Sequence, residues 1–225
     1  MNIFRMKGPW STALSSLYNL VVMPALIEIY EESLDSTFPS DLLRPGTRLL
    51  DVGCGAGVMT GIVAVRQPNI ELVGIDLSDR MIERARRIHG GSTNLSFRKG
   101  DALGLPFGPG SFDVVMSLAS IKHWPDQPKG VSEIFRVLKP GGRCFILEAD
   151  RLCSWASARG FVNRWRWTFP PARFLVTGYF MRFVAGQGLC LDELRELCVE
   201  AGFAGVEVGK TGDFPGILAS GRRPG

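Results

Sequence analysis

The chain has 225 residues, 45% hydrophobic and 21% charged, enough for one large domain with a full core and too apolar for a disordered chain. Its 27 Gly and 14 Pro punctuate the sequence without a repeat, which excludes collagen-like order. A net charge of +4 is too mild to call for nucleic acid, and five Cys without a CxxC pair exclude a disulfide scaffold and a cysteine zinc site.

The cysteine pattern reads as a reduced, cytoplasmic protein with no metal. Near the start, Ser15, Ser16, Asn19 and Pro24 interrupt the apolar residues, so neither a signal peptide nor a transmembrane span is expected. Residues 11–34 carry Leu14, Leu17, Tyr18, Val21 and Val22 at helical spacing, with Pro24 kinking or dividing the segment. Residues 1–43 are therefore expected as an N-terminal helical lid on a core spanning 44–225.

From residue 44 strands alternate with helices. Arg48–Val52 predicts a buried strand running into Gly53-x-Gly55-x-Gly57, and Val58–Val65 a helix. Glu71–Ile75 is the second strand, ending at Asp76. A helix over 78–88 follows, then a third strand at Leu95–Lys99 before Asp101. Phe112–Ser117 and Cys144–Glu148 are the fourth and fifth strands, flanking a helix over 129–138. Lys139-Pro140-Gly141-Gly142 is expected as a turn. This alternation predicts a parallel sheet covered on both faces. An amphipathic helix over 191–201 and closing strands at 206–209 and 217–220 complete the chain.

The stretch 151–185 breaks the rhythm. It holds six Arg, no Lys and no acid, together with nine of the 22 aromatics. Its +6 leaves the rest of the chain at −2.

The glycine loop follows a strand and opens a helix, where backbone amides and the helix dipole attract a ligand. A dinucleotide fingerprint would place a third glycine at position 58, which is Val58. Asp76 ends the second strand, 23 residues after Gly53, where a carboxylate can take both hydroxyls of a ribose. NAD and S-adenosylmethionine (SAM) share that need, so Asp76 alone does not separate them. Asp101 can accept from an exocyclic adenine amine.

The ordered set Asp51-Val52-Gly53-Cys54-Gly55-Ala56-Gly57, Gly74-Ile75-Asp76-Leu77-Ser78 with Met81, Gly100-Asp101-Ala102, Phe112-Asp113-Val114-Val115, His123-Trp124 and Leu138-Lys139-Pro140-Gly141-Gly142 resembles the class I SAM-dependent methyltransferases, and most the small-molecule group called methyltransferase type 11. The resemblance covers residues 48–148. It implies a Rossmann-like α/β fold with a seven-stranded, mostly parallel sheet, the last strand antiparallel, and a helical cap after the fifth strand. It implies that Gly53, Cys54 and Gly55 lie along the methionine part of SAM, with Asp51 helping to position it. Asp76 would hold the ribose, Leu77 and Met81 would lie against the adenine, Asp101 and Ala102 would read its edge, and Ser117 would flank the methionine end.

His123 is the candidate general base, just past the fourth strand and near the expected methyl acceptor. Tyr18, Trp124 and Trp165 are candidate substrate contacts from the lid, the fourth-strand loop and the cap. Within 151–185, aromatics can line a pocket for a hydrophobic or planar acceptor, with an arginine holding an acidic group, or they can touch anionic lipid as a peripheral membrane contact. The function expected is methyl transfer to an O, N, S or C nucleophile of a small, hydrophobic molecule. A non-catalytic SAM-binding scaffold and an NAD-dependent oxidoreductase are the alternatives; the sequence assigns no oligomeric state and no acceptor.

Overall fold

The computed structural model describes Ile27 and residues 42–165, 170–212 and 214–225. The expected helical lid over 1–43, with Tyr18, lies almost wholly outside these residues. Seven strands form one sheet: β1 (Arg48–Val52), β2 (Glu71–Asp76), β3 (Leu95–Lys99), β4 (Phe112–Leu118), β5 (Leu138–Ala149), β6 (Ala204–Lys210) and β7 (Gly216–Arg222). Their order is β3-β2-β1-β4-β5-β7-β6. β1 to β5 pair in parallel, and β7 runs antiparallel between β5 and β6.

The central strands are apolar because both faces are covered. Leu49, Leu50 and Val52 of β1 and Val114, Val115 and Met116 of β4 are fully buried. This continuous burial is the mark of a parallel sheet between two helical layers. Within residues 42–225, six helices are described: α1 (Val58–Arg66), α2 (Asp79–His89), α3 (Gln127–Val137), α4 (Trp155–Asn163), α5 (Pro170–Phe183) and α6 (Leu191–Glu200). On one face Val131, Ile134 and Val137 of α3 and Leu194 and Leu197 of α6 pack on Leu50, Val115 and Ile146. On the other, Val63 and Ala64 of α1 pack on Leu49, Leu72 and Phe145.

The chain winds outward from β1 through β2 to β3, then returns to place β4 on the other side of β1. Loops leaving the carboxyl ends of β1 and β4 therefore part in opposite directions, and the crevice between them is where this architecture takes ligands.

One expected turn is a strand. Lys139-Pro140-Gly141-Gly142 forms the bulged opening of β5, with a register shift against β4 between Phe112 and Val114. Gly141 sits at φ 81°. Proline and a left-handed glycine break the local regularity, yet Gly141 N–H donates to the Arg223 carbonyl at 2.9 Å and Arg223 N–H to the Gly142 carbonyl at 2.9 Å. The Arg223 guanidinium also donates to the carbonyls of Phe135, Arg136 and Leu138, closing the end of α3.

Candidate active site

The site grows from the loop between β1 and α1. Gly53, Gly55 and Gly57 all have positive φ, at 80°, 55° and 76°. Gly53 and Cys54 donate their N–H groups to the Ile75 carbonyl, each at 2.9 Å, which pulls the loop over the end of β2. A Cβ on Gly53 would stand 1.9 Å from Ser120 Oγ, whereas one on Gly55 would meet nothing within 4 Å. Gly53 is thus required by close approach, and Gly55 faces open space. Helix α1 starts from Gly57 with no side-chain cap, so its first amides are left for a ligand.

Asp76 joins this loop to the end of β2. One carboxylate oxygen accepts from Gly55 N–H at 3.0 Å and the other from Ser78 N–H at 2.9 Å. Each oxygen keeps a lone pair for a further donor. Burial raises the Asp76 pKa above the usual carboxylate value, and the two amides oppose the rise. Leu77, next in the chain, is 65% exposed, an apolar side chain held at the surface beside the carboxylate. Met81 is half-buried in the first turn of α2, whose cap Ser78 accepts from its N–H.

Asp101 stands exposed at the end of β3, with one oxygen accepting from Leu103 N–H at 2.9 Å in a local turn. Ala102 is half-buried beside it and packs on the core. The Gly100 N–H donates to the Asp76 carbonyl at 3.1 Å, which ties the two acidic strand ends together.

Asp51 lies deeper. Its carboxylate is buried and accepts from Thr60 Oγ1 on α1 at 2.7 Å, so it anchors the first turns of that helix to β1. Burial pushes its pKa up to about 7, with the Asp76 charge adding to the rise and the Thr60 hydroxyl opposing it. Burial and the same two carboxylates push the Cys54 thiol well up, which keeps it protonated and unreactive at neutral pH.

At the end of β4 the structure separates two serines. Ser117 is fully buried and donates its hydroxyl to the Val52 carbonyl at 3.0 Å, across the β1–β4 seam. Ala119 then turns the chain at φ 53°, a left-handed conformation that costs a non-glycine residue about 1–2 kcal/mol. The turn delivers Ser120 onto Gly53, at the place expected for Ser117. Trp124, expected as a substrate contact, is buried in the core. Its ring leaves no room for a Cβ on Gly130 of α3, and its indole N–H donates to Ser120 Oγ at 3.1 Å.

A buried ion pair clamps the same turn. Lys122 Nζ donates to Glu148 Oε1 at 2.6 Å and to the Ala119 carbonyl at 3.0 Å. Glu148 also accepts from the Lys122 and Ala149 N–H groups, at 3.1 and 2.7 Å. His123 follows in a short 3-10 turn, Ile121–His123, and is exposed as a whole residue. Surrounding protein and the Lys122 charge lower its pKa to about 4, against an opposing pull from Glu148. It is therefore neutral at pH 7.

The cap closes the β5 side. The inner faces of α4 and α5, through Ala158, Phe161, Val162 and Phe180, pack on Leu147, Ala149 and Met59. Met59 is in the first turn of α1, so the cap rests against the helix that leaves the glycine loop. Trp165 packs edge-on against Phe161 and Phe180, with ring centroids 5.6 and 6.0 Å apart. No cluster able to hold a metal occurs among the described residues.

The sheet order, glycine loop and strand-end carboxylates define a Rossmann-like domain of the kind that holds SAM. The residues present fit that cofactor: loop amides and an uncapped helix start for the methionine carboxylate, Asp76 for a ribose, and Leu77 and Asp101 beside it for an adenine. Residues 50–146 match the family described as methyltransferase domain. Over 175 residues the chain is 34% identical to a demethylmenaquinone methyltransferase of Symbiobacterium thermophilum, covering 71% of this chain and 69% of that protein. A 102-residue stretch, 45% of this chain, is 40% identical to 32% of the 2-methyl-6-phytyl-1,4-hydroquinone methyltransferase of Synechocystis. A SAM-dependent methyltransferase structure from Thermotoga maritima superposes with a TM-score of 0.63 at 21% identity, over 93% of this chain and 94% of that one. The chain belongs to the class I SAM-dependent methyltransferases, in the type 11 group, and is an enzyme that uses SAM to methylate a small molecule.

Proposed function

We propose that the acceptor is a hydroquinone carrying a hydrophobic tail. The observation that carries this reading is the pair of relatives just described, whose names place demethylmenaquinone and a phytyl hydroquinone as their substrates. The cap supports it: an aromatic segment without a single acid packs against Leu118, the last residue of β4 before the turn to Ser120 and His123.

SAM, when bound, supplies an electrophilic methyl group on a sulfonium sulfur. On transfer, a ring carbon or oxygen of the acceptor would bond that methyl and give up a proton, the sulfur keeping the bonding pair. The chain's part is orientation and exclusion of water. Asp76 and the loop amides fix the cofactor. Ser120, held by Trp124, and the Lys122–Glu148 clamp fix the wall opposite the loop. His123 would take the acceptor proton, and its lowered pKa leaves it neutral down to about pH 4.

The test supplies short-tailed naphtho- and benzohydroquinones, reduced and oxidised, and follows S-adenosylhomocysteine release and product mass. Turnover with the electron-rich reduced ring alone is expected. Asp76→Ala should weaken S-adenosylhomocysteine binding about 10- to 150-fold, the loss of charge-assisted hydrogen bonds of about 1.5–3 kcal/mol. His123→Gln should lower kcat by about 100-fold or more and leave that binding intact. Cofactor binding without turnover of any hydroquinone would overturn the acceptor.

A further inference from the structure

We infer that the outer face of the cap, formed by α4 and α5, docks the enzyme on an anionic lipid surface. Six of the ten large hydrophobic side chains that stand exposed among the described residues fall between positions 152 and 183: Leu152, Trp155, Phe174, Leu175, Tyr179 and Phe183. Phe174 and Leu175 are 69% and 73% exposed, far beyond what the edge of a packed helix requires. Four of the six meet in pairs. The Trp155 ring lies 4.9 Å from that of Phe174 across the two helices, and Tyr179 lies 5.0 Å from Phe183 along α5. Thr177 and Phe180 of the same helix are fully buried on its inner side. A helix apolar on both sides is expected to be covered on both, and among the described residues nothing covers this outer one.

Charge selects the cover. Arg159 of α4 and Arg182 of α5 are exposed among these aromatics, in a segment with no acid from 151 to 185. A second copy of the chain related by a two-fold axis would set these arginines against themselves. An anionic bilayer attracts them, receives the apolar side chains, and favours Trp and Tyr at its interface. No described helix is long and apolar enough to cross a membrane, so the cap lies on the surface. A tailed acceptor of the kind proposed above would reside in such a bilayer. The inference rests on the cap surface alone and is tested without turnover.

The experiment floats the full chain with vesicles of phosphatidylcholine, alone or with about one third phosphatidylglycerol. Retention on the anionic vesicles only, falling with added salt, is expected. Phe174→Ser with Leu175→Ser should lower partitioning about tenfold or more, and Arg159→Glu with Arg182→Glu at least fivefold per arginine. Unchanged S-adenosylhomocysteine affinity and urea midpoint in both variants show that the fold is intact. Absence from anionic vesicles overturns the inference, as does equal retention of wild type and variants. A concentration-dependent dimer abolished by Phe174→Ser with Leu175→Ser would assign the face to a second copy instead.

Discussion

The cofactor end of the sheet and the cap are held together by different forces. Around the glycine loop the buried polar side chains have directional partners: Asp51 with Thr60, Asp76 with Gly55 and Ser78, Ser117 with Val52, Trp124 with Ser120, Glu148 with Lys122. The cap is held by rings. Phe161 contacts Trp165, Phe180 and Phe214 at centroid distances of 5.2–5.6 Å. Hydrogen bonds fix positions to tenths of an ångström, whereas apolar contact constrains mainly volume. A cofactor that never changes suits the first construction. An acceptor that differs between relatives suits the second, because aromatic packing tolerates substitution without loss of the sheet.

The sharpest break in that comparison is Glu148→Ala. It leaves the Lys122 ammonium buried without its carboxylate, at an expected loss of about 3–5 kcal/mol in urea denaturation. Lys122→Met with Glu148→Leu should recover most of that stability, since neither charge remains to be desolvated. If the single variant denatures like wild type, the clamp does not set the geometry of the Ala119 turn.

Next in size is a contrast between two glycines. Gly53→Ala combines a left-handed backbone with a clash against Ser120, together about 2–4 kcal/mol, and should abolish S-adenosylhomocysteine binding. Gly55→Ala meets no neighbour and carries only the backbone cost of about 1–2 kcal/mol. Equal effects in calorimetry and denaturation would mean that Ser120 yields, and that the β4 turn is softer than its hydrogen bonds imply.

The third prediction concerns pH. The Asp51 pKa rises from 3.8 to about 7 on folding, so the folded state holds a proton that the unfolded state has released. Stability from this group is therefore present below pH 3.8, falls as pH rises from about 4 to 7, and is level above that. His123 acts with the opposite sign: its pKa falls from 6.5 to about 4, so stability rises with pH across that window. Asp51→Asn should remove the fall and leave the His123 rise exposed in urea midpoints at pH 4.5, 6 and 8. A variant that still loses stability toward pH 7 would locate the proton elsewhere, with Asp76 as the neighbour to examine.

The parts legible from sequence are those where chemistry demands a residue type. The boundaries of β1 and β3, the glycine loop and the position of Asp76 follow from local pattern, because a tight turn requires glycine and a strand end leaves a carboxylate free to accept. Ser117 and Ser120 are a different case. Both follow the same apolar run, and only the left-handed turn at Ala119 decides which reaches the loop; an alanine carries no sequence signal for that conformation. Lys122 and Glu148 are 26 residues apart and meet through the β4–β5 pairing, which local periodicity does not encode. The bulged start of β5 was hidden for the same reason, since its partner Arg223 lies at the other end of the chain.

The smallest expected effect asks whether the cap is a separate cooperative unit. Ser154 caps α4 and accepts from Ser157 N–H at 3.1 Å. Ser154→Ala should cost about 1 kcal/mol. Because Phe161 and Phe180 share their cluster with Leu147 and Ala149 of β5 and Met59 of α1, the cap should unfold with the sheet. The urea midpoint would then shift by the whole amount, and amide exchange in α4 and in β5 would accelerate by the same factor, about fivefold. Acceleration confined to α4 would divide the molecule along the boundary between directional and apolar construction. Acceptor entry could then proceed by local opening of the cap while the hydrogen-bonded cofactor end stays folded.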